Sequence, residues 1–170
     1  MSTTIREELA GDREGIRTVN LLAFGQEEEA NLVDLLRANG KMILSLVAVD
    51  GDSIVGHILY SAVTLFGSRS TVRAVGLGPM AVLPVVQRRG IGTKLVHKSL
   101  RKLQDGGRNF VIVLGHPDYY PRFRFRRASE FSVRWELECP DEAFMLLELM
   151  PGTVPPGGGI IQYEPEFSGV

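Results

Sequence analysis

The chain has 170 residues, 44% hydrophobic and 23% charged, a composition that supports one soluble globular domain spanning residues 1–170 around a single core. Its formal net charge of −1 supplies no bulk attraction to nucleic acid or to an anionic membrane, and neither is expected as a partner. A single cysteine, Cys139, excludes an internal disulfide framework and suits a reducing compartment.

The opening "MSTTIREELAGDREG" lacks an apolar signal segment, and no apolar run approaches the length of a membrane span, so the expected location is cytoplasmic. "TIREEL" reads as a short strand. From Asp12, a candidate N-cap, to Phe24, the apolar residues Ile16, Val19, Leu22 and Ala23 recur at helical spacing. "QEEEANLVDLLRANG" predicts a second helix, with acids in its first turn and Gly40 as its stop. "LSLVAVDGDSIVGHILYSAVTLF" is two apolar runs joined at Asp50-Gly51, a strong hairpin signal, and "TVRAVGLGPMAVLP" is a third run ending at Pro84. The next helix places Ile91, Leu95, Val96, Leu100 and Leu103 on one face and Lys94, Lys98, Arg101 and Lys102 on the other. "NFVIVL" is a continuous apolar strand, "PDYYPRFRF" one or two turns, and "SVRWELE", "AFMLLELM" and "GIIQYEP" the last strands. The order β-α-α-β-β-β-α-β-α-β-β, with room for one more strand, implies an α/β chain with a mixed sheet and helices on its faces.

Between the third run and the helix lies "VVQRRGIGTKLV", residues 85–96. Two glycines at a helix start cost up to about 1 kcal/mol each in propensity, so something has to approach the backbone closely there. Unpaired N–H groups and the helix dipole make this an anion site. Gly90 and Gly92 clear away side chains and allow positive φ, while Arg88 and Arg89 add charge at the rim. A Walker A loop fails, because Thr93 rather than a glycine immediately precedes Lys94. The dinucleotide fingerprint would need a glycine at Leu95 and a first strand rather than a fourth. "GLGPMA" at 76–81 fits on paper but sits inside an apolar strand run. The pattern Gln/Arg-x-x-Gly-x-Gly/Ala after a strand is met at every fixed position by Gln87 to Gly92.

With "MAVLP" before that loop and "YYPRFRF" about thirty residues after it, nearly the whole chain resembles the GNAT superfamily of N-acetyltransferases. "GHPDYYPRFRF" further resembles a bacterial subgroup of predicted acetyltransferases in which Gly-His-Pro and Tyr-Tyr precede Phe-Gly-Phe. The resemblance implies the GNAT fold, whose mostly antiparallel sheet splays between the fourth and fifth strands. It implies acetyl-coenzyme A as co-substrate, no metal, and direct transfer to a primary amine of a small molecule or peptide in a ternary complex. Main-chain groups of Met80, Ala81 and Val82 would meet the thioester and pantetheine; Gln87, Arg88, Arg89, Gly90, Ile91, Gly92 and Thr93 would surround the pyrophosphate. Counting through "YPRFRF" places Tyr120 as the acid that protonates the leaving thiolate, with Tyr119 as its neighbour one residue away. The alternative for Tyr120 is a packed aromatic with a satisfied hydroxyl. Relatives of this type are often dimers.

Some positions depart from the pattern. Arg124 stands where the family has glycine, and an arginine is strained there if the backbone needs positive φ. The fourth strand holds no acid, which leaves His116 as the candidate base, against a turn histidine bonded to backbone or a base acting through water. His57 reads as a partly buried sheet residue. Arg122, Arg124, Arg126 and Arg127 form either a solvated charged face or a site for the 3′-phosphate or an acidic acceptor. Glu27, Glu28 and Glu29 either stabilise a helix start or attract a cationic amine. Cys139 has no base near it in sequence to activate it for a ping-pong route. Two rivals remain: a non-catalytic acyl-coenzyme A binding module and a nucleotide-phosphate binder using the same loop.

Overall fold

Gly51 opens the turn between the second and third strands at φ 60, a left-handed value that glycine takes without steric cost. Asp50 then pairs with Ser53 across a two-residue loop. The computed structural model that places these atoms describes residues 2–169; Met1 and Val170, the ends of the expected domain, lie outside the described residues. The elements are β1 (Thr3–Glu7), α1 (Arg13–Phe24), α2 (Glu28–Ala38), β2 (Met42–Asp50), β3 (Ser53–Phe66), β4 (Thr71–Val82), α3 (Ile91–Asp105), β5 (Phe110–Leu114), β6 (Arg126–Arg127), β7 (Val133–Trp135), β8 (Phe144–Glu148) and β9 (Gly159–Tyr163). The pairings are antiparallel except for β4 with β5 and β7 with β9, so the fold is mixed α/β.

The chain divides into two compact units: residues 1–61, 78–101 and 165–170 in the first, 62–77 and 102–164 in the second. In the first unit β1 pairs with β2 and β2 with β3, and the two-residue period of β3 sorts its side chains onto opposite faces. Leu59 meets Ile16 of α1, Leu32, Val33 and Leu36 of α2, and Val47 of β2 in one apolar cluster. On the other face a Cβ at Gly56 would meet Leu95 at 3.1 Å and Ile91 at 3.2 Å, and the Tyr60 hydroxyl lies 2.8 Å from Ser99 Oγ, so α3 lies against this side. Ile91, Leu95, Val96, Leu100 and Leu103 are all buried, as their spacing predicts. Each such aliphatic side chain taken fully out of water stabilises the fold by roughly 1.5–3 kcal/mol.

Helix ends follow local chemistry. Gly25 (φ 70) and Gly40 (φ 66) take left-handed values just past α1 and α2, and Gly40 N–H donates to the Arg37 carbonyl. Asp12 precedes α1 but caps it with no side-chain bond. Its carboxylate accepts from the Leu9 N–H at 2.7 Å and from both terminal nitrogens of Arg6, which holds it below the usual carboxylate range.

In the second unit Val63, Leu65, Ala74, Phe110, Ile112, Phe144, Leu146 and Ile161 form the core. β5 pairs with β8, β8 with β6, and β9 with β3 and β7. The parallel pairing of β4 with β5 spans only Val75–Val111 and Gly76–Ile112, while β4 itself runs unbroken to Val82. Gly76 is thus the last residue of β4 paired with β5, inside a continuous strand. The expected strand "SVRWELE" shrinks to Val133–Trp135, and Arg126–Arg127 forms a short ninth strand that no expected run covers. "PDYYPRFRF" forms a single 3₁₀ turn at Tyr120–Phe123.

Candidate active site

Two hydrogen bonds hold the end of β4 and set the course of the chain beyond it. Leu83 N–H donates to the Val55 carbonyl at 2.9 Å, and the Gln87 side-chain amide donates to the Val82 carbonyl at 2.9 Å. A 3₁₀ turn at Pro84–Val86 then lifts the chain into the loop; proline suits its start, having no N–H to satisfy. Positive φ falls on Arg88 (64) and Gly90 (82), one residue on each side of Arg89, while Gly92 lies inside α3. Of the two glycines, Gly90 thus meets a conformational need, and the second left-handed residue is an arginine.

Gly90 accepts the first bond of α3, from Lys94 N–H at 3.0 Å. Among the described residues no partner meets the N–H groups of Arg88, Arg89, Gly90, Ile91, Gly92 and Thr93. Six successive amides, the positive end of a 15-residue helix and two exposed guanidinium groups with no ion pair among the described residues therefore stand together. Chemically, such an array suits a phosphate or pyrophosphate, which would accept charge-assisted N–H···O⁻ bonds from it. Met80, Ala81 and Val82 end the strand that feeds it, beyond the last residue of β4 that pairs with β5.

Tyr120 and His116 belong to the second unit. The His116 carbonyl accepts from the Tyr119 N–H at 3.1 Å and the Tyr120 N–H at 3.4 Å, forming the turn that leads into the 3₁₀ segment. The His116 side chain is exposed and bonds to nothing among the described residues. The Tyr120 ring is buried, with edge contacts to Tyr119 (5.1 Å between centroids) and Phe125 (5.7 Å). Its hydroxyl has no hydrogen-bond partner among the described residues, and burial, followed by the neighbouring Tyr119, pushes its pKa up. Arg124 ends that turn at φ 73, so the family's glycine position does require a left-handed backbone here. Its neighbours have other business: Arg122 lies over the Tyr119 ring, Arg126 pairs with Glu130 and Arg127 with Asp141. Arg124 alone of the four is unengaged among the described residues.

A second polar cluster, in the first unit, looks superficially nucleophilic. His57 Nε2 lies 2.9 Å from Ser45 Oγ, and Nδ1 lies 3.3 Å from Asn20 Nδ2. The proton directions exclude that chemistry. Asn20 Nδ2 also donates to the Ile16 carbonyl, which fixes the amide so that it donates to Nδ1. Nε2 then carries the hydrogen and donates to Ser45, whose own hydroxyl donates to Glu8 Oε1 at 3.1 Å. A His57 that already donates to Ser45 is no general base for it. Glu8 is in turn bound by Arg37 at 2.6 and 3.1 Å. Fully buried, and with the Arg37 charge nearby as the second cause, His57 has its pKa lowered to about 3. The histidine is thus fully rather than partly buried, and structural. Cys139 packs against the second unit's core, its thiol pushed up by burial and then by Asp141.

Sequence reasoning passes over two features. Arg88 adopts a left-handed conformation with nothing in its residue type to announce it. Gly115 opens the Gly-His-Pro motif, and a Cβ there would collide with Cε2 of Tyr120. Only the motif hints at the second. Among the described residues no helix is long and apolar enough to cross a membrane, and no three His, Cys, Asp or Glu side chains cluster as metal ligands would.

Known proteins share this sequence and this fold. The family model for the acetyltransferase (GNAT) domain matches residues 4–128. YhbS of Escherichia coli K12, an uncharacterized N-acetyltransferase, is 30% identical over 165 residues, covering 96% of this chain and 98% of that protein. The crystal structure of the E. coli YhbS protein in complex with CoA superposes with a TM-score of 0.90, covering 97% of this chain and 91% of that one. A GNAT family acetyltransferase from Brucella melitensis in complex with acetyl-CoA is 32% identical, with a TM-score of 0.81 over 98% of both chains.

Proposed function

The chain belongs to the GNAT acetyltransferase family, and we propose that it moves an acetyl group from acetyl-coenzyme A to a primary amine of a small molecule or peptide. The observation that carries this reading is the run of six amides from Arg88 to Thr93 at the head of α3, which have no partner among the described residues. Its support from relatives is that two structures of similar sequence hold CoA and acetyl-CoA. The family match, running through residues 4–128, draws on both compact units without a break, which supports treating the chain as one catalytic domain.

In this reading the co-substrate supplies an activated thioester, and the protein supplies position and protons. The loop amides, with Arg88 and Arg89, hold the diphosphate. Gln87 buttresses the end of β4 through the Val82 carbonyl, and main-chain groups of the Met80–Ala81 stretch, beyond the pairing of β4 with β5, serve the pantetheine arm and the developing oxyanion. The acceptor must lose a proton before it attacks the thioester carbonyl. His116, exposed and unengaged, is our candidate for that base. As the carbon–sulfur bond breaks, the electron pair goes to sulfur and Tyr120 donates a hydrogen bond to it. A tyrosine whose pKa is raised by burial is protonated throughout the physiological range, so this donor always holds its proton. Transfer is direct, in a ternary complex. The one thiol, on Cys139, is made less acidic by its surroundings and is a poor acyl carrier.

Isothermal titration with acetyl-coenzyme A and with ATP, followed by thiol release against a panel of amines, tests the proposal. Saturable uptake of the thioester with turnover of an amine is expected, with ATP competing weakly. Folded protein that takes up no acetyl-coenzyme A refutes it.

A further inference from the structure

Gly115 sits at the end of β5, its N–H donating to the Ala143 carbonyl at 2.9 Å. Its φ is not positive, so backbone freedom is not what calls for glycine. Space is. A Cβ there would collide with Tyr120 Cε2 and lie 3.0 Å from Cδ2 and 3.5 Å from Cζ. Cε2 adjoins the carbon that bears the hydroxyl, so the ring edge at stake is the one that aims the oxygen. The ring has little room to retreat, because Tyr119 and Phe125 meet it edge-on and Phe123 lies 6.4 Å away.

We propose that Gly115 is a positioning residue of the acetyl transfer: by presenting bare main chain at the end of β5, it lets the Tyr120 ring close against it and sets where the phenolic hydroxyl is delivered. This rests on the reading of Tyr120 as the group that serves the leaving sulfur. A methyl group at 115 tilts the hydroxyl end of the ring by roughly an ångström, a misplacement that costs on the order of a hundredfold when reacting groups must be aligned. Donor binding is untouched, because the amides assigned to the diphosphate lie at residues 88–93.

The test is a double-mutant cycle in which thiol release from acetyl-coenzyme A is followed with spermidine, tyramine, lysine amide and glycinamide. The slow hydrolysis of acetyl-coenzyme A, which also expels the thiolate, serves if none of these amines turns over. Gly115→Ala should lower kcat by 10- to 100-fold with KM for acetyl-coenzyme A within about twofold, and add little to the loss in Tyr120→Phe, where no hydroxyl remains to misplace. Equal losses in both backgrounds, or none, overturn the inference while leaving Tyr120 its role. A fully active Tyr120→Phe removes Tyr120 and Gly115 together. Should Gly115→Ala fail to fold, Gly115→Ala with Tyr120→Ala must fold as well as Tyr120→Ala alone; otherwise the ring is not what forbids a side chain at 115.

Discussion

Lowering the pH should test the buried His57 chain directly. Above pH 6.5 the imidazole is neutral in both folded and unfolded chains, and its contribution to stability is complete. Between 6.5 and about 3 the unfolded chain binds a proton that the native chain refuses, so stability falls as the pH falls. At pH 4.5, two units below the unfolded value, the deficit is roughly 2.7 kcal/mol at 1.36 kcal/mol per unit. That figure scarcely moves as long as the folded pKa stays below 4. A protonated Nδ1 would also face the Asn20 amide that the Ile16 carbonyl holds as a donor, two N–H groups opposed with no acceptor between them. The perturbation is therefore pH combined with His57→Gln, which keeps an amide in place of the ring and cannot titrate. Urea unfolding, followed by circular dichroism at 222 nm as a report on α1, α2 and α3, gives the free energy at pH 7.5 and 4.5 for both proteins. The wild type should lose about 2–3 kcal/mol more than the variant over that interval, since the carboxylates titrate in both. Parallel losses, within about 0.5 kcal/mol, would refute the assignment of His57 as a neutral, water-excluded donor to Ser45.

Gly92→Val places a branched side chain in the first turn of α3 and should raise KM for acetyl-coenzyme A at least tenfold without unfolding the protein; an unchanged KM removes the phosphate cradle. Tyr120→Phe should cut kcat with little change in donor KM, and if Tyr119→Phe alone shows that pattern the register is off by one residue. Arg124 holds φ 73 with an unengaged side chain, so Arg124→Gly should stabilise the protein by about 0.5–1 kcal/mol, read as a rise of a few degrees in Tm; a lower Tm would mean the guanidinium has a binding partner in the fold. A Cβ at Gly76 would lie 2.7 Å from Val63 Cγ1 and 3.0 Å from Tyr163 Cε1, so Gly76→Ala should cost about 1–3 kcal/mol by urea titration, and a neutral effect would show that this contact relaxes freely.

What local preference can encode was readable in advance. The β2–β3 hairpin announces itself at Asp50-Gly51, Gly40 stops α2, and the apolar stripe of α3 is the stripe that lies buried. The turn at "QRRGIG" and the helix behind it are likewise legible, because they lie within a few residues of each other. Other features depend on residues far apart in the chain, and only folding brings them together. Glu8, Asn20, Ser45 and His57 make one proton chain because β2 pairs with β3 and α1 covers one face of that pair; no spacing in the sequence marks them as partners. That the pairing of β4 with β5 ends at Gly76 and Ile112 is a matter of register, which neither strand's composition announces. Left-handed backbone at Arg88 and Arg124 runs against residue type and is imposed by the turns around it. Gly115 and Tyr120 are five residues apart, yet whether a glycine there serves its own backbone or its neighbour's ring is a question of steric volume, which only the packed aromatic cluster answers.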